Sequence, residues 1–146
     1  MERHKSLISL SSEHHHGLVT AQKLKYGYKP SSSTDTEMTV DDKKEMLLKF
    51  SDEYIHKHFR LEEEILVPYL PDNEIIKRML DEHVKMYELL YVIEVSDPDE
   101  ALLNQYGEKL EAHIRFEERE LFPLVEKSLT EEQLNEIEQK LKGENK

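Results

Sequence analysis

Two short runs of this 146-residue chain place a glutamate four residues after a histidine: His58-x-x-x-Glu62 and His113-x-x-x-Glu117. On a helix such a pair projects from one face, about one turn or roughly 6 Å apart along the axis. Imidazole and carboxylate suit divalent and trivalent iron, and a carboxylate has two oxygens that can bridge two ions. Alone, each pair reads as an ordinary polar pair on a helix surface. Their neighbours change that reading. At helical period His14, His58, His83 and His113 each fall on the apolar stripe of a different helix, and Glu62 and Glu117 fall there too. Uncompensated charges in a core are costly, and no Arg or Lys shares those inward positions. Convergent imidazoles and carboxylates in a bundle are therefore better explained by a metal site than by a satisfied polar core.

The ligand on the first helix has two candidates, because His14, His15 and His16 are consecutive. His14 shares its stripe with Leu10, Leu18 and Ala21. His15 would lie with Ile8, Leu18 and Val19 on a poorer one, so periodicity favours His14 and keeps His15 as the alternative.

Four long helices must position these groups. The first spans about 6–26, with Gly27 able to cap its end. Residues 27–38 read as a flexible polar loop. A second helix starts near Val40 behind Thr39, carries Leu47, Phe50, Tyr54, His58, Leu61, Glu62 and Ile65, and ends by Pro68 and Pro71. Asp72 is the expected cap of a third, along Ile76, Met79, Leu80, His83, Tyr87 and Leu90. Asp97-Pro98-Asp99-Glu100 opens the fourth as cap, first-turn proline and capping-box glutamate; its stripe runs through Leu103, Tyr106, Leu110, His113, Phe116, Glu117 and Leu121 to an end near Pro123. Thr130-Glu131-Glu132-Gln133 is a second capping box, opening a short C-terminal helix within 128–142. Short connections after the second and third helices imply antiparallel neighbours. The expected fold is all-α: a single domain over 1–146, an antiparallel up-down-up-down four-helix bundle with a short C-terminal helix.

The chain also repeats itself. HFRLEEEILVPYL from His58 aligns without gaps to HIRFEERELFPLV from His113, with six identities. Upstream of each copy stands a helix bearing Glu-His, Glu13-His14 and Glu82-His83. Two hairpins of similar design are implied, neither able to bury its apolar face alone.

Composition bounds the function. A net charge of −12 and the lack of a basic stripe exclude a nucleic-acid binder and disfavour an anionic membrane surface. No cysteine occurs, which removes disulfides, thiolate sites and redox thiols. No apolar run has signal-peptide or membrane-span length, so a cytoplasmic protein is expected.

The order His … HxxxE … His … HxxxE, with a proline after each HxxxE helix, resembles the hemerythrin superfamily in its HHE cation-binding branch, over roughly 7–125. The resemblance implies two iron ions (Fe2+/Fe3+): His14 and His58 on one, His83 and His113 on the other, Glu62 and Glu117 bridging, with an oxo or hydroxo group between them. It differs from oxygen carriers in two places. Tyr87 stands where they have a fifth histidine, and HxxxE replaces their HxxxxD in the fourth helix. The resemblance thus points away from reversible oxygen transport and toward binding or reaction with oxygen, nitric oxide or peroxide, in sensing or scavenging. Iron storage, delivery or iron–sulfur cluster repair is the alternative, and a metal-free helical interaction domain the second. Ferritin-like sites place glutamate first at spacing three, and a structural zinc site closes with four ligands, fewer than the six groups here.

Tyr87 has two readings, a core tyrosine or a group that ligates, hydrogen-bonds to a bound ligand or donates an electron. His4 and His56 fall off the stripes and are expected to face solvent. Glu63, Glu64, Glu118 and Glu120 read as surface charges, one of which could orient a ligand histidine, and Arg60 and Arg115 as partners in helix-surface pairs.

Overall fold

The computed structural model describes residues 3–28 and 38–144, and within them every element is helical. A short 3-10 turn, Lys5–Leu7, leads into α1, Ile8–Leu24. Helix α2, Val40–Phe50, runs through a π-helical turn (Ser51–Ile55) into α3, His56–Leu61, then a second π turn (Glu62–Leu66) and a 3-10 turn (Val67–Tyr69), all as one continuous arm. The third arm is α4, Glu74–Val95. The fourth is α5, Glu100–Phe116, a π turn (Glu117–Leu121) and α6, Phe122–Ser128. Helix α7, Glu131–Glu144, follows. Of the loop expected at 27–38, residues 29–37 lie outside the described ones.

Contacts between arms run in opposite senses, as an up-down-up-down bundle requires. His14 meets His58 while Lys43 reaches Lys25, and His83 meets Glu63 while Lys44 reaches Ser96. Those two lysines donate to the carbonyls of Lys25 and Ser96, where α1 and α4 leave oxygens unpaired. Lys43 is buried to 1% exposure and also faces Glu100, so it pins three helix ends together.

Side-chain caps set most boundaries. Thr39 accepts from the Asp42 N–H, and Thr130 and Gln133 exchange both bonds of a capping box. The expected cap at Gly27 is not the one used: α1 ends at an extended Lys25, and Gly27, with φ 72°, makes a left-handed turn two residues further on. Two other expected caps shift. Asn73, not Asp72, caps α4 through the Ile75 N–H, and Asp99, not Asp97, caps α5 through the Leu102 N–H. Pro98 therefore stands before α5 rather than in its first turn. The C-terminal helix occupies 131–144 rather than 128–142, Ser128 being the last residue of α6.

The π turns are what period alone did not foresee. In the fourth arm the Phe122 N–H donates to the Glu117 carbonyl five residues back, and in the second the His56 N–H donates to Ser51. Each extra residue rotates the buried face. Ser51 and Ile55 are buried, whereas the expected Phe50 and Tyr54 are only half-buried. Pro68 and Pro123 each follow their glutamate by six residues, and neither can donate to the carbonyl four back, so the helix opens just before the ring. Pro123 accordingly does not end its arm, which continues to Ser128.

Two apolar clusters fill the bundle. One, near α7, gathers Leu7, Leu10, Ile76, Met79, Phe122 and the α7 residues Leu134, Ile137 and Leu141. The other gathers Leu24, Leu47, Met86, Leu90, Leu103 and Tyr106. Each fully buried large apolar side chain contributes about 1.5–3 kcal/mol. The ligand-type residues lie where these clusters meet: His14 between Leu10 and Ala21 on α1, His83 between Met79 and Met86 on α4, and on the other arms His58 and His113 at the edge of one cluster with Glu62 and Glu117 at the edge of the other. A polar layer is thus sealed between two greasy ones. No helix among the described residues is long and apolar enough to cross a membrane.

Candidate metal centre

All six inward polar groups lie in that layer. His14, His58, His83 and His113 are 1–6% exposed, and Glu62 and Glu117 are wholly buried. Their donor atoms form two overlapping groups, one of His14, His58, Glu62 and Glu117, the other of Glu62, His83, His113 and Glu117, each within 4.8 Å. The two glutamates belong to both groups because their oxygens divide. Glu117 turns Oε1 to His14 Nε2 (2.8 Å) and Oε2 to His113 Nε2 (3.0 Å). Glu62 turns Oε2 to His58 Nε2 (3.2 Å) and Oε1 to His83 Nε2 (3.1 Å). Two of the three π turns begin at these glutamates, a backbone irregularity frequent at functional sites.

The outer edge of every imidazole is held by a further carboxylate. His14 Nδ1 lies 2.6 Å from Glu118, His58 Nδ1 3.3 Å from Glu13, His83 Nδ1 2.7 Å from Glu63 and His113 Nδ1 2.7 Å from Glu82. A carboxylate on Nδ1 places the proton there and leaves Nε2 free as a lone-pair donor, the arrangement of metal-ligating histidines. The repeat organises the set. Glu13 and Glu82 hold the HxxxE histidine of their own half, and Glu63 and Glu118 hold the lone histidine of the other half. Of the four glutamates read as surface charges, Glu63 and Glu118 take the other role foreseen for one of them and orient a histidine. The clue in the sequence was the doubled glutamate, Glu62-Glu63 and Glu117-Glu118, repeated together with Glu-His.

A cation fits this layer. Both oxygens of Glu62, Oε2 of Glu117, and Nε2 of His83 and His113 are buried without a hydrogen bond. Their approaches of 3.0–3.2 Å lack hydrogen-bond alignment, so the atoms point toward shared space rather than at each other. Leaving so many buried polar atoms unpaired is expensive unless an ion satisfies them. Electrostatics agree. Burial disfavours the imidazolium of His83, yet Glu117 and Glu62 hold its pKa up at about 10. Burial likewise opposes a charge on His113, and Glu117 with Glu82 overcomes it to give about 9. The same contest, with Glu117 and Glu118 for His14 and Glu62 and Glu117 for His58, raises both. Glu117, whose burial alone would favour its neutral form, is held well below the usual carboxylate range by His113 and His14. Protons on the imidazoles can thus neutralise the carboxylates, and an entering cation must displace them.

The family model of the hemerythrin HHE cation-binding domain matches residues 6–125, which contain all six inward residues and the four outer glutamates. This chain belongs to that family. No curated protein and no solved structure matches the chain. Helix α7 and Arg3 lie outside the matched span of this HHE domain.

The remaining sequence candidates fall elsewhere. His15 is exposed and outside both donor groups, as is His16, which stacks on Tyr54. Tyr87 stands one turn beyond His83 on α4. Its ring packs edge-on to Phe59 and flat on His56, with centroids 5.4 Å away in each case. Burial, with Glu63 and Glu62 nearby, pushes the phenol up to about 12, which works against the tyrosinate that ligation requires. His4 is half-buried rather than solvent-facing, capping the first turn and meeting Glu131. Arg60 and Arg115 make the expected surface pairs with Glu64 and Glu111.

A small cavity of about 20 Å³ adjoins the centre, walled by Gly17, Phe50, Ile55, Phe59, Leu110 and Ile114 and reaching His14, His58, His113 and Glu117. That is room for roughly one water-sized molecule in mainly apolar surroundings.

Proposed function

We propose that this HHE domain is a non-haem di-iron protein that binds or reacts with a small molecule such as oxygen, nitric oxide or peroxide, in sensing or scavenging. The observation that carries the reading is the division of Glu62 and Glu117, each offering one oxygen to each pair of histidines. Two nitrogens and two carboxylate oxygens per position suit iron, and six convergent protein groups exceed a closed four-ligand zinc site. His14 and His58 would hold one ion, His83 and His113 the other, with Glu62 and Glu117 shared. Iron held there supplies one-electron chemistry and coordination positions that the protein does not fill.

The chain's own groups do the rest. Glu118, Glu13, Glu63 and Glu82 fix the imidazoles so that each Nε2 faces inward. The apolar clusters keep water from the layer, which strengthens every electrostatic contact within it. The cavity beside Gly17 and Ile114 admits a ligand of a few atoms and favours a neutral one, because its apolar walls offer an ion no solvation.

Metal analysis of protein purified from its own host, with optical spectra before and after oxygen, tests the reading. Two irons per chain and a spectral change are expected. A chain that takes up no iron, or a double variant His58→Ala/His113→Ala that still loads fully, would overturn it.

A further inference from the structure

The two halves of the centre match closely, and the departures from that match are informative. Glu118 and Glu63 occupy equivalent places in the repeat, each holding the lone histidine of the opposite half. Among the described residues, Glu118 has company that Glu63 lacks. Arg3 Nη2 donates to Glu118 Oε1 at 3.1 Å and to the Glu118 carbonyl at 2.9 Å, while Arg3 Nη1 donates to Glu126 at 2.8 Å. Ser11 Oγ donates to Glu118 Oε2 at 2.8 Å, the oxygen that also meets His14. Arg3 on Oε1 and Ser11 on Oε2 together hold the carboxylate with Oε2 against His14 Nδ1. The guanidinium also lies over Phe122 at 5.4 Å, and Phe122 stacks on His14 with centroids 5.2 Å apart and planes at 7°. Arg3 therefore bears on His14 from its Nδ1 edge and from its face.

Arg3 belongs to none of the four arms. It stands before the 3-10 turn that opens α1, outside the residues matched by the family model. The segment is fastened at several further points: His4 to Glu131, and Leu7 among the apolar residues of α7. The other half has its own arginine, but of a different kind. Arg78 holds Glu82 at 2.8 Å from one turn away on the same helix, so that contact is built into the bundle.

We propose that Arg3 is a positioning residue for His14, acting through Glu118 and Phe122, so that the His14/His58 metal position depends on a clasp outside the bundle. This rests on the di-iron reading, and the test separates the two. The full chain is loaded with iron(II) without oxygen and challenged with a chelator, and the occupancy of each position is read by anomalous diffraction at several times. In Arg3→Ala the His14/His58 position should empty about tenfold faster, the lower end of the effect of losing a ligand's hydrogen-bonded partner. The His83/His113 position should empty as in the unaltered chain. Glu126→Gln, which weakens only one anchor of Arg3, should act in the same direction and less. Arg78→Ala should reverse the selectivity by loosening Glu82 behind His113. Equal loss from both positions in Arg3→Ala, or no change at either, would show that the clasp is merely structural. An unaltered chain that takes up no iron would remove the di-iron reading and this inference with it.

Discussion

The Phe59 ring lies flat against the His83 imidazole, with centroids 3.8 Å apart and planes within 6°. The same ring meets His113 edge-on at 5.3 Å and Tyr87 at 5.4 Å. Phe59 thus stands against both histidines of the second group, with Tyr87 packed edge-on against it.

Tyr87→Phe should therefore leave metal content unchanged, since the ring is packed on Phe59 and His56 and its raised pKa, about 12, disfavours tyrosinate. Metal analysis beside the unaltered protein checks this. Loss of one ion per chain would make Tyr87 a ligand.

Acidity should act oppositely on the metal-free and metal-loaded protein. His83 and His113 have folded pKa values raised from 6.5 to about 10 and about 9. Their contribution to stability is complete below the unfolded value and fades as pH rises through the folded ones. Metal-free protein should lose at least about 3 °C in Tm between pH 6.5 and 10, the shift that about 1 kcal/mol produces in a chain of this size. Because metal must displace those protons, the Tm gained on loading should grow over the same range. Calorimetry at several pH values reads both. A metal-free Tm that climbs toward pH 10 would contradict the assignment of charge.

Helices α1 and α5 approach closely at Gly107, where an added Cβ would lie 2.7 Å from the Ala21 carbonyl oxygen. Backbone cannot step aside as a side chain can. Gly107→Ala should destabilise the fold by about 1–3 kcal/mol, read by urea unfolding. At Gly17 the nearest atom is Cδ1 of Ile114, 2.6 Å away, and it can swing aside. Gly17→Ala should cost less, yet slow nitric oxide binding to the reduced protein, because both residues wall the cavity beside the centre. Stopped-flow mixing measures that rate, and an unchanged rate would exclude the cavity as the route.

Tyr106 is fully buried and its hydroxyl has no partner among the described residues. Removing an unsatisfied buried polar atom is neutral or favourable, so Tyr106→Phe should not destabilise and should add up to about 1–2 kcal/mol. A loss above about 1 kcal/mol in denaturant unfolding would mean that the hydroxyl is satisfied in solution.

Periodicity alone carried the arms and their inward residues, because a helix repeats every 3.6 residues and a polar side chain on an apolar stripe must be buried. That argument put His14, His58, His83, His113, Glu62 and Glu117 in one layer and favoured His14 over His15. It could not supply what depends on distance through space rather than along the chain. Glu118 meets His14 across 104 residues and Arg3 meets Glu126 across 123, so neither carboxylate could be told from a solvated one. Nor could it foresee the turn at Ser51–Ile55, which buries Ser51 and Ile55 where Phe50 and Tyr54 were expected. A single wide turn shifts the face of everything on one side of it, and whether the helix widens is decided by the packing on both sides. Local chemistry selects which side chains point inward. Only the packed bundle decides which oxygen of Glu117 reaches which histidine, and that division is what makes the layer a candidate for two metals rather than one.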